Sequence, residues 1–292
     1  MTAVDAPYVN VLDPAFYVDP WDAYRWLRDE APVFWDPVQK IWAISRYDDL
    51  LAVERNPGLY SSFHGSRPGT DQTDDHSMIN LDDPAHHAQR ALVARTFTPK
   101  GVKQHEDHVR RVVTEILDAA LPLGECDAVE MIASRLPAMM ITDLLGYPRE
   151  TWEKVRLWSE QTMYRSGQTS PQGPPHPHDP EMITLMQEFA EITVQIAMAR
   201  KEEPRDDLIS VWANAEGWDL KRVLEETILV LDGGAETTRS VIGAMIRELA
   251  LQPDKRRQLV EHPELLTTTA VEEFVRWVSP VLNMRRTVTK DH

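Results

Sequence analysis

The stretch Leu220–Gln252, LKRVLEETILVLDGGAETTRSVIGAMIRELALQ, decides the fold of this chain. Apolar residues recur along it at steps of three and four: Leu224, Ile228, Leu231, Val241, Met245 and Leu249. This spacing is typical of an α-helix with one buried face. At a rise of ~1.5 Å per residue the helix would be about 48 Å long. We therefore predict one long central helix.

The middle of this helix is unusual, because Gly233 and Gly234 stand side by side where alanine would favour a helix by about 1 kcal/mol per residue. Glu236 and Thr237 follow in a segment that is otherwise apolar enough to be buried. The glycines would let a flat group approach the backbone and let the hydrogen-bond ladder open locally. The alternative is that Gly233 ends one helix and a threonine caps a second helix.

Two further stretches carry polar residues at helical spacing. In LDDPAHHAQR, Asp82 or Asp83 can cap a helix with Pro84 in its first turn, so that His86 and Arg90 share one face. Such a pair can bind a carboxylate by charge-assisted hydrogen bonds. The second stretch, EEFVRWVSPV, has Glu273 and Arg276 three residues apart, a spacing that is common for exposed helical ion pairs.

In this order, the three stretches resemble the cytochrome P450 family of haem-thiolate monooxygenases, and the resemblance covers nearly the whole chain. Its oxygen-binding helix carries a Gly-x-acid-Thr run, matched by Gly234, Glu236 and Thr237. Its next long helix carries Glu-x-x-Arg, matched by Glu273 and Arg276. The resemblance implies a bacterial soluble type, a mainly α fold with a small β-sheet, and a single domain over residues 1–292, incomplete at its C-terminus.

The resemblance also implies site residues. The haem b propionates would be bound by His86, Arg90 and Arg286, with Arg285 as the alternative to Arg286. Gly233 and Gly234 would leave room for oxygen, Thr237 would hydrogen-bond dioxygen or its water, and Glu236 would relay protons. Glu273 and Arg276 would form a buried structural ion-pair network. Substrate-lining positions are expected at Met78, Ile79, Val230 and Val281.

The family needs a cysteine thiolate on the iron, from a loop well after the Glu-x-x-Arg helix. This sequence reaches His292 without such a loop, and its one cysteine, Cys126, precedes the motifs. We therefore expect an N-terminal fragment of a family member that is inactive alone. Cys126 is expected to be a small packing residue, and no metal-ligand set is predicted within the sequence, His176 and His178 included.

The expected reaction is hydroxylation of a small apolar substrate by O₂, with electrons from a ferredoxin and its reductase. The segments LGECD, GGAETTR and SPVLNM resemble those of actinobacterial members that oxidise the side chains of steroids such as cholesterol or cholestenone. Fatty acids, terpenes and macrolides fit an apolar pocket equally well. Two alternatives remain open: a haem-free helical binding or scaffold protein, and a haem-thiolate enzyme that uses peroxide or performs dehydration.

The net charge of −16 argues against nucleic-acid binding. One region is nevertheless basic, and it is a candidate ferredoxin-docking face or a solvated helix surface: Arg90, Arg95, Lys100, Lys103, Arg110 and Arg111. The sequence has neither an apolar run long enough to span a membrane nor a secretory signal, so we expect a cytoplasmic protein without a membrane span.

Local patterns predict the remaining elements. Val33–Trp35 and Ile41–Ile44 form a hairpin that needs further strands to make a sheet, and Gly58 to Leu81 is a loop over the substrate pocket. Helices are expected at 103–121, 128–145 and 149–166, with a break at Gly146. The proline-rich segment 166–180 is expected to be a flexible connection between two lid helices.

Overall fold

The structure, a computed structural model, describes residues 7–69, 72–165 and 180–291. Its helices, in chain order, are α1 (Trp21–Asp29), α2 (Tyr47–Glu54), α3 (Ala85–Val93), α4 (Pro99–Lys103), α5 (Glu106–Ala120), α6 (Arg135–Leu145), α7 (Trp152–Arg165), α8 (Pro180–Glu202), α9 (Leu208–Ala213), α10 (Leu220–Leu251), α11 (Pro253–Glu261) and α12 (Val271–Val278). The strands are β1 (Val33–Asp36), β2 (Ile41–Ile44), β3 (Tyr60–Ser61) and β4 (Thr287–Val288). The predicted mainly α fold with little β-structure is confirmed.

The chain divides into two compact units. The first comprises residues 1–89, 163–182 and 283–292, and the second comprises residues 90–162 and 183–282. Whether they act as the single domain predicted from the sequence stays a prediction.

The first unit is built around a small aromatic core near its N-terminus. Phe16, Ala23 and Leu27 are buried there, and Tyr17 and Phe34 pack against them. The hairpin forms as predicted, with Val33 opposite Ile44 and Asp36 opposite Ile41. Within the described ranges β1 and β2 pair only with each other, so the further strands expected for this sheet are not found there.

A second antiparallel pair joins distant parts of the sequence. Tyr60 of β3 lies opposite Val288 of β4, and Ser61 lies opposite Thr287. The backbone N–H of Thr289 donates to the carbonyl of Leu59 at 2.9 Å and extends the contact. β3 lies inside the segment predicted as loop, because a two-residue strand has no periodicity of its own and depends on its partner.

The second unit is helical, and α10 packs against α6 and α9. Val112 and Ile116 of α5 are buried with Met139 of α6. Trp158 of α7 and Phe189 of α8 are also buried, with their rings 5.4 Å apart in an edge-on arrangement. Of the apolar residues whose spacing predicted this helix, Leu231 is fully buried and the others are half-buried, whereas polar residues such as Thr227 are buried too.

The predicted break after α6 is confirmed. Gly146 follows Leu145 with φ of 91°, a left-handed conformation that costs glycine little, and its N–H donates to the carbonyl of Thr142. The segment 166–179, predicted as a flexible connection, lies outside the described residues.

Candidate active site

The central helix α10 is continuous through its glycine pair. It begins at Leu220, where the side chain of Asp219 accepts a hydrogen bond from the N–H of Arg222 at 3.0 Å. It ends at Leu251, just before Pro253 opens α11. The alternative of two separate helices is therefore wrong, and the expected opening of the helix at the glycines is not seen.

The two glycines face different surroundings. A Cβ built on Gly233 meets no atom within 4 Å, whereas one built on Gly234 would lie 2.1 Å from Cδ1 of Ile141 in α6. No real side chain tolerates the second distance. Gly234 thus permits close packing of α10 on α6, which is not the role the sequence indicated. Only Gly233 leaves the open space expected beside a cofactor, and the cofactor contact itself stays a prediction for both residues.

The hydroxyl of Thr237 is held beside this open space. Its Oγ1 donates to the carbonyl oxygen of Gly233 at 2.7 Å, one helical turn earlier. Because that bond uses the hydroxyl proton, the remaining lone pairs of Oγ1 can accept a hydrogen bond from a ligand or water.

Glu236 is one of the few buried carboxylates of α10, with 8% of its surface exposed. Its Oε2 forms an ion pair with the guanidinium of Arg239, three residues later on the same helix. Burial raises the pKa of the Glu236 carboxyl above its ordinary value; Arg239 lowers it, and Glu160 and Asp232 raise it. A buried carboxyl with such a shift suits proton exchange.

Two residues of α7 complete this arrangement. Glu160 Oε1 receives a guanidinium nitrogen of Arg239 at 2.7 Å and one of Arg156 at 2.7 Å. Sequence reasoning missed Arg239, Glu160 and Arg156. The three-residue spacing from Glu236 to Arg239 was visible in the sequence, but the contact of Glu160 with Arg239 depends on how α7 packs on α10.

A second buried acid lies one turn before Glu236. Asp232 is 5% exposed, and its Oδ1 accepts a hydrogen bond from the hydroxyl of Thr162 in α7. Thr162 is itself buried. Asp232 is therefore contacted directly by α7, whereas Glu236 is linked to α7 through Arg239.

The ring of His86 is fixed near the start of α3. Its Nδ1 lies 2.8 Å from the carbonyl oxygen of Met78, which leaves Nε2 for another partner. Asp83 accepts from the N–H of His87 at 3.2 Å, whereas Asp82 accepts from the N–H of Ser62 at 2.8 Å. Of the two proposed capping residues, Asp83 thus contacts the helix, and Asp82 connects its start to β3. Arg90, on the same helix, is exposed.

The two candidate arginines before β4 have different partners. Arg286 Nη2 forms an ion pair with Glu54 Oε2 at 3.0 Å, and its Nη1 donates to the carbonyl oxygen of Arg285. Arg285 donates from its backbone N–H to the carbonyl of Ser66 at 2.7 Å and from Nε to that of Gly65 at 3.2 Å. Arg285 therefore braces the loop before α3.

The predicted substrate-lining residues differ in exposure. Met78 and Ile79 form a short 3₁₀ turn with Asn80, and both are half-buried. Val230 on α10 is also half-buried, whereas Val281, after α12, is 52% exposed. Their contact with a substrate stays a prediction.

The predicted burial of the Glu273–Arg276 pair is wrong for this structure. The pair forms, with Arg276 Nε 2.6 Å from Glu273 Oε2, but the two side chains are 67% and 61% exposed. At this exposure solvent screens the pair. Cys126, expected to be a packing residue, is exposed as well.

The six basic residues predicted to form a patch are all exposed. Arg110 forms an ion pair with Glu106 one turn earlier, at 2.9 Å. Phe97 and Val102 lie between them in sequence and are 51% and 55% exposed. This surface therefore combines cationic and apolar groups.

The described residues lack two features. In 7–69, 72–165 and 180–291, no cluster of histidine, cysteine, aspartate or glutamate has the composition and proximity to hold a metal ion. Within the same ranges, none of the helices combines the length and apolar character needed to cross a bilayer.

The chain is similar to curated monooxygenases over almost its whole length. It is 38% identical over 294 residues to a steroid C26-monooxygenase of Mycolicibacterium smegmatis, covering 98% of this chain and 71% of that protein. It is 32% identical over 305 residues to a linalool 8-monooxygenase of Pseudomonas putida, covering 97% and 73%. No protein-family model matches the chain.

The chain is also similar to solved structures of cytochromes P450. A cytochrome P450 of Mycobacterium marinum in complex with pseudoionone superposes with a TM-score of 0.86 and 27% identity, covering 99% of this chain and 76% of that one. One of Bacillus megaterium in complex with testosterone gives a TM-score of 0.80 and 29% identity, covering 94% and 71%.

Fold and relatives together define a haem-dependent oxidoreductase of the monooxygenase class. The chain belongs to the cytochrome P450 family.

Proposed function

We propose that this protein hydroxylates an apolar substrate, with a steroid side chain as the first candidate, using O₂ and electrons from a ferredoxin and its reductase. The observation that carries the proposal is the arrangement on α10: open space at Gly233, the oriented hydroxyl of Thr237, and the buried carboxyl of Glu236. These are the groups needed to admit a flat cofactor and to deliver protons beside it.

The chain's own residues fit a haem in two respects. A Cβ at Gly233 would meet no atom within 4 Å, so this part of the helix surface is open, and three side chains have the hydrogen-bond donors that two propionate carboxylates require. We assign these contacts to His86, Arg90 and Arg286. Gly234 contributes by bringing α10 close to α6. When bound, the haem supplies the redox chemistry by which one atom of O₂ enters a C–H bond and the other leaves as water.

Thr237 and Glu236 have different roles in proton delivery. Formation of an alcohol and water from a C–H bond and O₂ consumes two electrons and two protons. Glu236 passes these protons from the polar network of α7 and α10. Thr237 holds a water molecule in place through the lone pairs of its hydroxyl, which accept a hydrogen bond from that water.

The substrate class is supported by the relatives and by the apolar residues assigned to the pocket, of which Met78, Ile79 and Val230 are half-buried. Steroid and terpenoid names recur among the similar proteins. Met78, Ile79, Val230 and Val281 would present apolar surface to such a molecule, and burying that surface contributes about 25 cal/mol per Å². A steroid offers more of it than a short terpene alcohol does.

The redox partner is assigned from surface charge. The exposed basic residues around Lys100 and Lys103 complement an acidic ferredoxin, and Phe97 and Val102 add apolar contact area. We also propose that residues 1–292 by themselves do not turn over. Their one cysteine, Cys126, is exposed and precedes α6, and the family takes its thiolate from beyond the Glu273–Arg276 helix.

The test uses the full-length protein. A carbon monoxide difference spectrum of the reduced protein is expected to show thiolate-ligated haem, and cholestenone with ferredoxin, reductase and NAD(P)H is expected to give a side-chain alcohol. Absence of haem absorption would support a haem-free scaffold protein. Product formation from peroxide alone, or by loss of water, would support the other haem-thiolate activities. Turnover by residues 1–292 alone would contradict the proposed need for an external thiolate.

A further inference from the structure

A single guanidinium on α10 is shared by two carboxylates. Arg239 contacts Glu236 on its own helix through Nη2 and Glu160 on α7 through Nη1, the latter at 2.7 Å. The three side chains are mostly buried: 28% of Arg239, 20% of Glu160 and 10% of Glu236 is exposed. Solvent therefore screens these contacts less than it screens surface ion pairs.

Further ion pairs extend from Glu160 along α7 toward the surface. Glu160 also receives Arg156 at 2.7 Å, and Arg156 lies 3.9 Å from Glu130, whose side chain is 60% exposed. From the surface inward the charges alternate: Glu130, Arg156, Glu160, Arg239 and Glu236. Asp232 is the other charged group of α10 that acts on Glu236. Each arginine in this row pairs with two carboxylates, so the strength of its interaction with one carboxylate depends on the charge of the other.

We propose that Arg239 is a positioning residue that fixes the orientation and charge of Glu236, and that Glu160 of α7 tunes this by competing for the same guanidinium. Arg239 is placed to act through Glu236, with no contact to substrate assigned to it. The inference rests on the proposed role of Glu236 as the proton relay.

The arrangement predicts that removing Arg239 and removing the charge of Glu160 have opposite effects on the protonation of Glu236. Removing Arg239 takes away a positive charge next to Glu236 and leaves burial, Glu160 and Asp232 to favour its protonated form. Removing the charge of Glu160 takes away a like charge and leaves Arg239 to Glu236 alone, which favours the ionised form. A residue that merely braces two helices would not shift the titration of Glu236 in opposite directions.

The experiment is an infrared pH titration of the purified full chain, in which the protonated carboxyl band of Glu236 is identified by its loss in Glu236→Gln. The titration midpoint should rise in Arg239→Gln, fall in Glu160→Gln, and stay near the parent value in Arg239→Lys. The matched control is Arg247→Gln, which removes another arginine of α10 whose side chain is 70% exposed and pairs with Glu248; its midpoint should equal that of the parent.

An unchanged midpoint in Arg239→Gln would overturn the inference. If Arg239→Gln fails to fold, Glu160→Gln provides the test. If the titration midpoint of Glu236 does not fall in that variant, the inference is overturned as well. The titration needs neither haem nor turnover, so it is separate from the proposed function. That function fails when the parent protein gives no alcohol product, whereas the inference fails when the titration midpoints do not move, whether or not the parent turns over.

Turnover supplies a second readout. The limb of the kcat–pH profile that follows Glu236 should move in the same direction as the infrared midpoint, with KM for the substrate unchanged. Loss of a positioned proton donor lowers the rate by about a hundredfold or more. Glu236→Gln should therefore have the lowest kcat, and the kcat of Arg239→Gln should lie between that of Glu236→Gln and that of the parent. Equal loss in Arg247→Gln would count against a specific role for Arg239.

Discussion

Gly234 of α10 faces Ile141 of α6 so closely that a single methyl group on the glycine would lie 2.1 Å from Cδ1 and 2.6 Å from Cγ1 of the isoleucine. The neighbouring Gly233 has no atom within the same reach. Two adjacent glycines in one motif therefore serve different purposes, one in helix packing and one in keeping a surface open. Their alanine variants should behave in opposite ways.

Gly234→Ala is expected to destabilise the protein by about 1–3 kcal/mol, the usual cost of overpacking a close contact. Ile141→Val in the same chain removes Cδ1 and should recover part of the loss. Gly233→Ala should instead stabilise the helix by roughly 1 kcal/mol while lowering haem content, because the new methyl group occupies the open space. Urea unfolding and haem absorbance measure the two effects. Equal stability of the two variants would show that the glycines are equivalent.

Thr237→Ala should keep the fold and reduce the fraction of electrons that reach product, with the remainder appearing as peroxide. The reason is that the hydroxyl held on the Gly233 carbonyl is lost, and with it the acceptor for a hydrogen bond from a water molecule. Product and peroxide are measured per NAD(P)H consumed. Thr238→Ala, at the exposed neighbouring position, is the matched control. Unchanged coupling in Thr237→Ala, or equal uncoupling in the control, would remove the proposed role.

Charge reversal of Lys100 and Lys103 should slow electron transfer from an acidic ferredoxin at low ionic strength by about tenfold or more, within the range that electrostatic steering provides. The difference should shrink with added salt, because exposed charges are screened beyond roughly 10 Å at 0.1 M. Stopped-flow reduction measures it. Reversal of Lys201 and Lys255, which are also exposed, is the control. The same slowing in both variants would indicate a net-charge effect instead of docking.

Burial of Glu236 should make stability depend on pH in a defined direction. Its pKa is raised in the folded protein above the ordinary value of 4.5, so the folded state binds the proton more tightly than the unfolded state. The contribution of this group to stability is therefore fully present below 4.5 and is lost as pH rises through the folded-state pKa. Glu236→Gln cannot ionise and should lack this loss.

The measurement is the difference in thermal midpoint between the parent and Glu236→Gln from pH 4 to pH 8 (about the range in which a raised carboxyl titrates). The parent should lose stability relative to the variant as pH rises. The matched control is Glu248→Gln, at another carboxylate of α10, which pairs with Arg247. A difference that stays constant, or that changes in the opposite direction, would show that Glu236 is not held in a desolvated site.

The sequence by itself determined the elements whose cause is local. The three- and four-residue spacing of apolar side chains predicted α10 nearly to the residue, and the Gly146 break and the β1–β2 hairpin followed from turn chemistry and alternation. The spacing of Gly234, Glu236, Thr237, Glu273 and Arg276 was enough to indicate the family. Each of these signals lies within one short stretch of the chain, and the family signal adds only the order in which two such stretches occur.

Tertiary structure decided what depends on contacts between distant segments. Only the packing of α6 on α10 shows that Gly234 is a packing glycine, and only that of α7 on α10 joins Glu160 to Arg239. The pairing of β3 with β4 and the exposure of Glu273 and Arg276 were likewise not encoded in local spacing. The physical reason is that burial and the sharing of a charge are set by which helices meet.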